Sequence, residues 1–176
     1  MTNSENQSLD RLHASLGIPE DYVSALDRPR YEDALELIIA DVNILGHAQK
    51  LAPDTALAWI AMKDAAAKDA VELLIVSGFR SVDYQASLIR KKLDAGQPIS
   101  TILTVNAPPG YSQHHTGRAV DIATPGSRPL TSSFEQTTAF EWLCSNAGAF
   151  GFQLPYHRDN RYGIAYEPWH WSQLID

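Results

Sequence analysis

The sequence holds a single cysteine in 176 residues, Cys144. That scarcity excludes an internal disulfide and a cysteine-rich zinc knuckle. Cys144 falls in the apolar-periodic stretch Phe140, Leu143, Cys144, Ala147, where a free thiol is expected to pack in the core as a small hydrophobe. Long apolar runs are missing as well. The strongest, Leu73 to Val76, is far too short to span a bilayer, so no membrane insertion is expected. Positive charge is sparse: 14 Lys and Arg against 21 Asp and Glu leave a net charge of -7, with no basic cluster. A surface that tracks nucleic-acid phosphates is thereby excluded. Met1 to Asp10 is polar and acidic and lacks the basic-then-apolar pattern of a secretory signal. The expectation is a soluble, cytoplasmic protein, with the cell envelope reached by a non-standard export route as the alternative.

What is present suits one domain with a real core. Residues 1–30, with Pro19 and Pro29, read as an arm containing a short helix around Leu9 to Leu16. Tyr31 to Lys50 places Leu35, Ile38, Ile39, Val42 and Leu45 at helical spacing, and Pro53 to Ala70 does the same with Leu57, Ile60 and Ala61. Both are expected to be scaffold helices, the second with Pro53 in its first turn. Glu72 to Ser77 reads as a buried strand, and Val82 to Ala95 as a helix with Ala86, Ile89 and Leu93 on one face, ended by Gly96. Gln97 to Gly110, with three prolines, is a long surface excursion of the kind that covers a site. Arg118 to Ala123 alternates as a strand, with Ala119, Asp121 and Ala123 on one face and Val120 and Ile122 on the other. Thr131 to Ser133 offers capping hydroxyls before a helix from Phe134 to Asn146, stopped at Gly148. Two more strands, Phe150 to Leu154 and Tyr162 to Glu167, flank a polar turn from His157 to Arg161.

One stretch carries chemistry. His114 and Asp121 are potential metal ligands, but along a straight strand they would lie about 23 Å apart. Two ligands of one zinc ion cannot be so far apart, so the chain must reverse between them, and Gly117 after Thr116 is where a backbone can do so. Glu167 and His170 would face opposite sides of a regular strand; Pro168 suits a strand end where the chain twists and brings them together. Two histidines and an aspartate suit zinc with one position left for water. A carboxylate is then needed to move the proton, a role for Glu167. Arg80 could stabilise an oxyanion or hold a substrate carboxylate. Each signal alone has a plainer reading: a His–Asp pair is more often structural, Glu-x-x-His arises by chance, and Arg80 is a surface cation. His115 points away from its neighbour His114, His157 belongs to a surface turn, and His13 and His47 lie in the helical region as bystanders.

Three blocks occur in order: Ser77-Gly78-Phe79-Arg80-Ser81 with Tyr84-Gln85, Ser112-x-His114-x-x-Gly117-x-Ala119-x-Asp121, and Tyr166-Glu167-Pro168-Trp169-His170-Trp171. They resemble the signatures of the VanY-type D-alanyl-D-alanine carboxypeptidases, zinc peptidases related to lysostaphin-like enzymes and the Hedgehog domain. The resemblance runs from about Leu73 to Leu174. It implies that His114, Asp121 and His170 bind zinc and that Glu167 is general base and acid. It also implies that Arg80 contacts the substrate carbonyl or oxyanion and that Gln85 and Ser112 line the pocket, Ser112 near the terminal carboxylate. Trp169 becomes a pocket wall, a core indole being an equal alternative. The implied fold is α+β, a small antiparallel sheet flanked by helices, with residues 1–71 as a helical N-terminal extension packed on a zinc peptidase core of residues 72–176. Gln113, where many relatives are acidic, and Ser172-Gln173, in place of a basic-aromatic pair, depart from the pattern.

The function so implied is zinc-dependent removal of terminal D-alanine from peptidoglycan stem peptides or muropeptides. An L,D-carboxypeptidase, a wall endopeptidase or a non-catalytic zinc-containing module are the alternatives.

Overall fold

The structure is a computed structural model and describes residues 3–173. Leu174, where the sequence resemblance ends, and the outer limits of the two sequence-defined regions lie outside the described residues.

The chain begins with α1 (Asn3–Ser15) and a short α2 (Glu20–Ser24). Next come β1 (Ile38–Val42) and β2 (Ala48–Leu51), then α3 (Pro53–Lys68), β3 (Leu74–Ser77), α4 (Val82–Asp94) and α5 (Ile99–Ile102). The last elements are β4 (Ala119–Ala123), α6 (Thr138–Asn146) and β5 (His170–Ser172), with 3-10 turns at Gln113–Thr116, Ser132–Gln136 and Ala147–Phe150. This is the expected α+β class. β1 and β2 form an antiparallel hairpin, and β3, β4 and β5 form a three-stranded antiparallel sheet with β4 in the middle. Among the described residues no helix is long and apolar enough to cross a membrane.

The sheet sorts its residues by the two-residue period of a strand. Val120, Ile122 and Trp171 enter a core with Ile75, Trp59 and Met62 of α3, and Leu143 of α6. Asp121 is directed to the other face. Burying each large apolar side chain contributes roughly 1.5–3 kcal/mol, so the alternation fixes which face is free for chemistry. A second cluster joins Leu16 and Ile18, which follow α1, to Ala86 and Ile89 of α4 and Ile102 of α5. The N-terminal arm is therefore packed, with His13 Nε2 against the Pro109 carbonyl at 2.8 Å.

Several sequence expectations need correction. Residues 38–51 form a hairpin where the spacing of Leu35, Ile38, Ile39, Val42 and Leu45 predicts a helix. The turn decides it: Asn43 Oδ1 accepts hydrogen bonds from the amides of Leu45 and His47, and Gly46 takes φ +81°. In α3 the buried stripe is Ala56, Trp59, Met62 and Ala66, while Leu57 and Ile60 face outward. Cys144 is exposed, because α6 buries Ala139 and Leu143 and the next residue lies about 100° further round the helix.

Helix α6 starts at Thr138 rather than Phe134, since Thr137 Oγ1 accepts from the Phe140 amide. Its continuation closes at Gly151, with φ +78°, not at Gly148. Neither Phe150 to Leu154 nor Tyr162 to Glu167 is a strand. In the first, Gln153 makes an isolated bridge to Ser172. In the second, the Ala165 amide is spent on the Thr104 carbonyl and the Glu167 amide on that of Tyr156, leaving no ladder. Gln97 to Gly110 is no mere surface loop, because it contains α5 and buries Ile102 and Leu103.

Candidate active site

Sheet register builds half of the site. Asp121 pairs with Ser77 on β3 on one side and with His170 on β5 on the other. His170 reaches β5 through a tight turn in which the Glu167 carbonyl accepts from the His170 amide at 3.1 Å. Pro168 occupies the position of that turn where its fixed φ is favoured. The turn, rather than a twisted strand end, is what brings Glu167 and His170 to one place.

His114 arrives by a second reversal. It sits in the 3-10 turn Gln113–Thr116, which ends at Gly117 with φ +66°. A Cβ at Gly117 would lie 2.8 Å from the Ala52 nitrogen, so both conformation and space require glycine there. The reversal expected at this glycine is present.

Tautomers follow from the hydrogen bonds. His114 Nδ1 lies 2.7 Å from the Gly78 carbonyl and His170 Nε2 2.9 Å from Gln113 Oε1. Each of those nitrogens faces an acceptor, and a ring proton held there leaves the opposite nitrogen free to ligate. The remaining nitrogens, His114 Nε2 and His170 Nδ1, both lie against the same oxygen, Asp121 Oδ1, at 3.3 and 3.1 Å. His114 Nε2 is buried without a hydrogen-bond partner among the described residues. The three donor atoms lie within 4.8 Å of one another. Three electron-pair donors converging on one buried point fit a cation, and two imidazoles with a carboxylate fit zinc.

Electrostatics point the same way. Burial, with help from Arg80, pushes the His114 imidazole down to about 4, so it is neutral and ready to ligate at neutral pH. Burial works to raise the Asp121 carboxyl, but His114 and Arg80 beside it hold it well below the usual carboxylate range. Arg80 Nη2 lies 3.2 Å from Asp121 Oδ2 and Nη1 3.4 Å from Gln85 Oε1. Glu167 behaves in the opposite way: burial first, and then the negative Asp121, push its carboxyl up to about 8.

These groups line one cleft of about 290 Å³, to which Arg80, Gln85, Ser112, Glu167 and Trp169 all contribute together with His114, Asp121 and His170. All the site residues named from the sequence are thus brought together. Trp169 both lines the cleft and packs against the core, so its two readings are compatible. His115 is fully buried but satisfied by the Arg80 carbonyl at Nδ1 and the Gly110 amide at Nε2. His157 lies in an exposed turn, and His47 is exposed in the hairpin.

Three contributors escaped sequence reasoning. Gln113, singled out only as a departure, is the acceptor that orients His170. Tyr156 stacks on the His170 ring with centroids 4.6 Å apart, and nothing in its local sequence signals this. Lys92 lines the cleft seven residues after Gln85 on α4, a two-turn spacing that puts both on one helix face.

The family model described as VanY, D-alanyl-D-alanine carboxypeptidase, matches residues 48–174, beginning within the segment assigned from sequence to the extension. YodJ of Bacillus subtilis (strain 168) is 35% identical over 112 residues, covering 62% of this chain and 41% of that protein. The LdcB LD-carboxypeptidase structure aligns with a TM-score of 0.72 at 30% identity, covering 82% of this chain and 70% of that one. A mutant of the vancomycin-resistance D,D-pentapeptidase VanY, in complex with Zn(II), aligns with a TM-score of 0.63 at 26% identity, covering 82% and 81%. The chain spans less than half the length of the first curated relatives it matches. With the signature residues gathered in one cleft and the family match running over most of its length, the chain belongs to the VanY family of D-alanyl-D-alanine carboxypeptidases.

Proposed function

We propose that the protein is a zinc-dependent carboxypeptidase that removes the terminal D-alanine from peptidoglycan-type peptides. One observation carries this reading: a buried carboxyl, Glu167, shares a cleft with three convergent metal-ligand atoms. A purely structural metal site has no use for such a group, which argues against a non-catalytic module. Zn(II) in the related VanY structure supports the choice of metal.

In this reading His114, Asp121 and His170 hold zinc, which when bound acidifies an attacking water and polarises the scissile carbonyl. Glu167 takes the proton from the water onto a carboxylate oxygen as the water oxygen bonds to the carbonyl carbon. It then passes that proton to the amine nitrogen as the C–N bond breaks. Arg80, clamped between Asp121 and Gln85, offers a fixed positive charge to the developing oxyanion. Gln85 spends its amide on the Ala107 carbonyl and so shapes the wall, while Ser112 and Trp169 line the substrate side.

The likeness to the LdcB LD-carboxypeptidase supports a second reading, in which the residue before the terminal D-alanine is of L configuration. Zinc-loaded protein incubated separately with a stem pentapeptide ending in D-Ala-D-Ala and a tetrapeptide ending in an L-residue and D-Ala decides between them. Release of D-alanine from the pentapeptide is expected; release from the tetrapeptide alone selects the second reading, and release from neither overturns both.

A further inference from the structure

Helix α4 turns one side toward the cleft, and that side carries a cation as well as Gln85. Lys92 lines the cleft with Asn106 and Ala107, and its Nζ donates to Asn106 Oδ1. Lys92 is partly buried there, whereas the neighbouring Lys91 is exposed. Burial lowers the Lys92 ammonium pKa, with Glu167 acting to raise it and Arg80 to lower it, so all three charges sense one another. Arg80 is already engaged with Asp121 and Gln85. Lys92 spends one of its three donors on a neutral amide, and Asn106 is its one hydrogen-bond partner among the described residues.

The two sides of the site differ in size. A larger pocket of about 590 Å³, with Leu45, Phe79, Tyr84 and Leu88 in its lining, shares Arg80, Asp121 and Leu130 with the smaller cleft. The larger pocket has room for the peptide body, which leaves the cleft beside Lys92 for the last residue and its carboxylate.

We propose that Lys92 binds the free C-terminal carboxylate of the peptide and thereby makes the site an exopeptidase. This rests on the carboxypeptidase reading above. The ammonium, steadied by Asn106, supplies a charge-assisted contact that an amide or a continuing chain does not satisfy.

The test compares zinc-loaded wild type, Lys92→Met and Lys92→Arg on one peptide ending in D-alanine, offered as the free acid and as the C-terminal amide. Wild type is expected to prefer the acid. Lys92→Met should raise KM for the acid by roughly tenfold or more with kcat little changed, leave the amide unaffected, and so collapse the preference; Lys92→Arg should recover part of it. Equal zinc content and thermal midpoints show that the variants fold. Binding of the acid and amide to Glu167→Gln protein, with and without Lys92→Met, reads the same contrast without turnover. A Lys92→Met protein that keeps the acid preference, or loses both substrates alike, overturns the assignment of Lys92 while leaving the carboxypeptidase reading intact. Wild type that cleaves neither peptide overturns that reading and the inference resting on it.

Discussion

Asp121 and His170 are direct cross-strand partners on β4 and β5, with Asp121 Oδ1 3.1 Å from His170 Nδ1. Two of the three candidate metal ligands are therefore set by sheet register, and a one-residue slip would send either side chain to the opposite face. His114 completes the centre from a turn.

Removing the shared carboxylate should undo the centre. Asp121→Ala takes away one ligand and leaves the Arg80 guanidinium, now largely buried, without its ion-pair partner. Zinc affinity, read by competition with a chelator, is expected to fall by at least about 100-fold, and the metal-free variant to lose roughly 3 kcal/mol of stability from the stranded charge. A variant that binds zinc like wild type removes Asp121 from the ligand set.

Gln113 is expected to act through His170. Gln113→Leu deletes the acceptor for His170 Nε2–H and should weaken zinc binding about 10–100-fold. Gln113→Glu keeps an acceptor and should hold affinity at or above wild type. Equal losses in both variants would mean that side-chain volume, not the hydrogen bond, matters there.

Stability of the metal-free protein should depend on pH through Glu167. A carboxyl raised from 4.5 to about 8 by burial binds more protons folded than unfolded, so its contribution is full below about 4.5 and is lost as pH rises to about 8. His114, lowered from 6.5 to about 4 by burial, works in the opposite sense and costs stability as pH falls through that window. Between pH 6.5 and 8, Glu167 alone of these two imposes a slope, of at most about 1.4 kcal/mol per pH unit. The thermal midpoint should fall across that interval, and Glu167→Gln should flatten the fall; an unchanged slope in the variant assigns it to other groups.

Gly117→Ala should destabilise by about 1–3 kcal/mol, because φ +66° and a nitrogen 2.8 Å from the new Cβ leave alanine no unstrained place. Urea denaturation checks this, and a shift within error would show that the turn relaxes freely.

Spacing made the reversal between His114 and Asp121 legible, while the full ligand set and the other residue roles came from the resemblance of the three motif blocks. His114 and Asp121 cannot share an ion without a reversal, and only Gly117 between them permits a left-handed turn cheaply. The β4 alternation was equally legible, since Val120 and Ile122 have one place to go. Residues 38–51 were not, because Ile38, Ile39 and Val42 fit a helical stripe as well as a strand, and the turn chemistry of Asn43 and Gly46 outweighs that spacing. Tyr162 to Glu167 misled in the other direction: Tyr162 and Ile164 alternate inward, yet they pack on Tyr156 in a small cluster without a neighbouring strand. Tyr156 reaches the site only through tertiary packing, which no local pattern records, whereas Lys92 shares a helix face with Gln85 at a two-turn spacing.

Glu167→Gln is the most direct measurement of the central claim. Zinc content by metal analysis and D-alanine release from a stem peptide are measured on the same preparation. The expected result is zinc retained at the wild-type ratio with turnover reduced by at least about 100-fold, the scale of general acid–base catalysis. Unchanged turnover with zinc in place would contradict Glu167 as the proton carrier and the mechanism built on it.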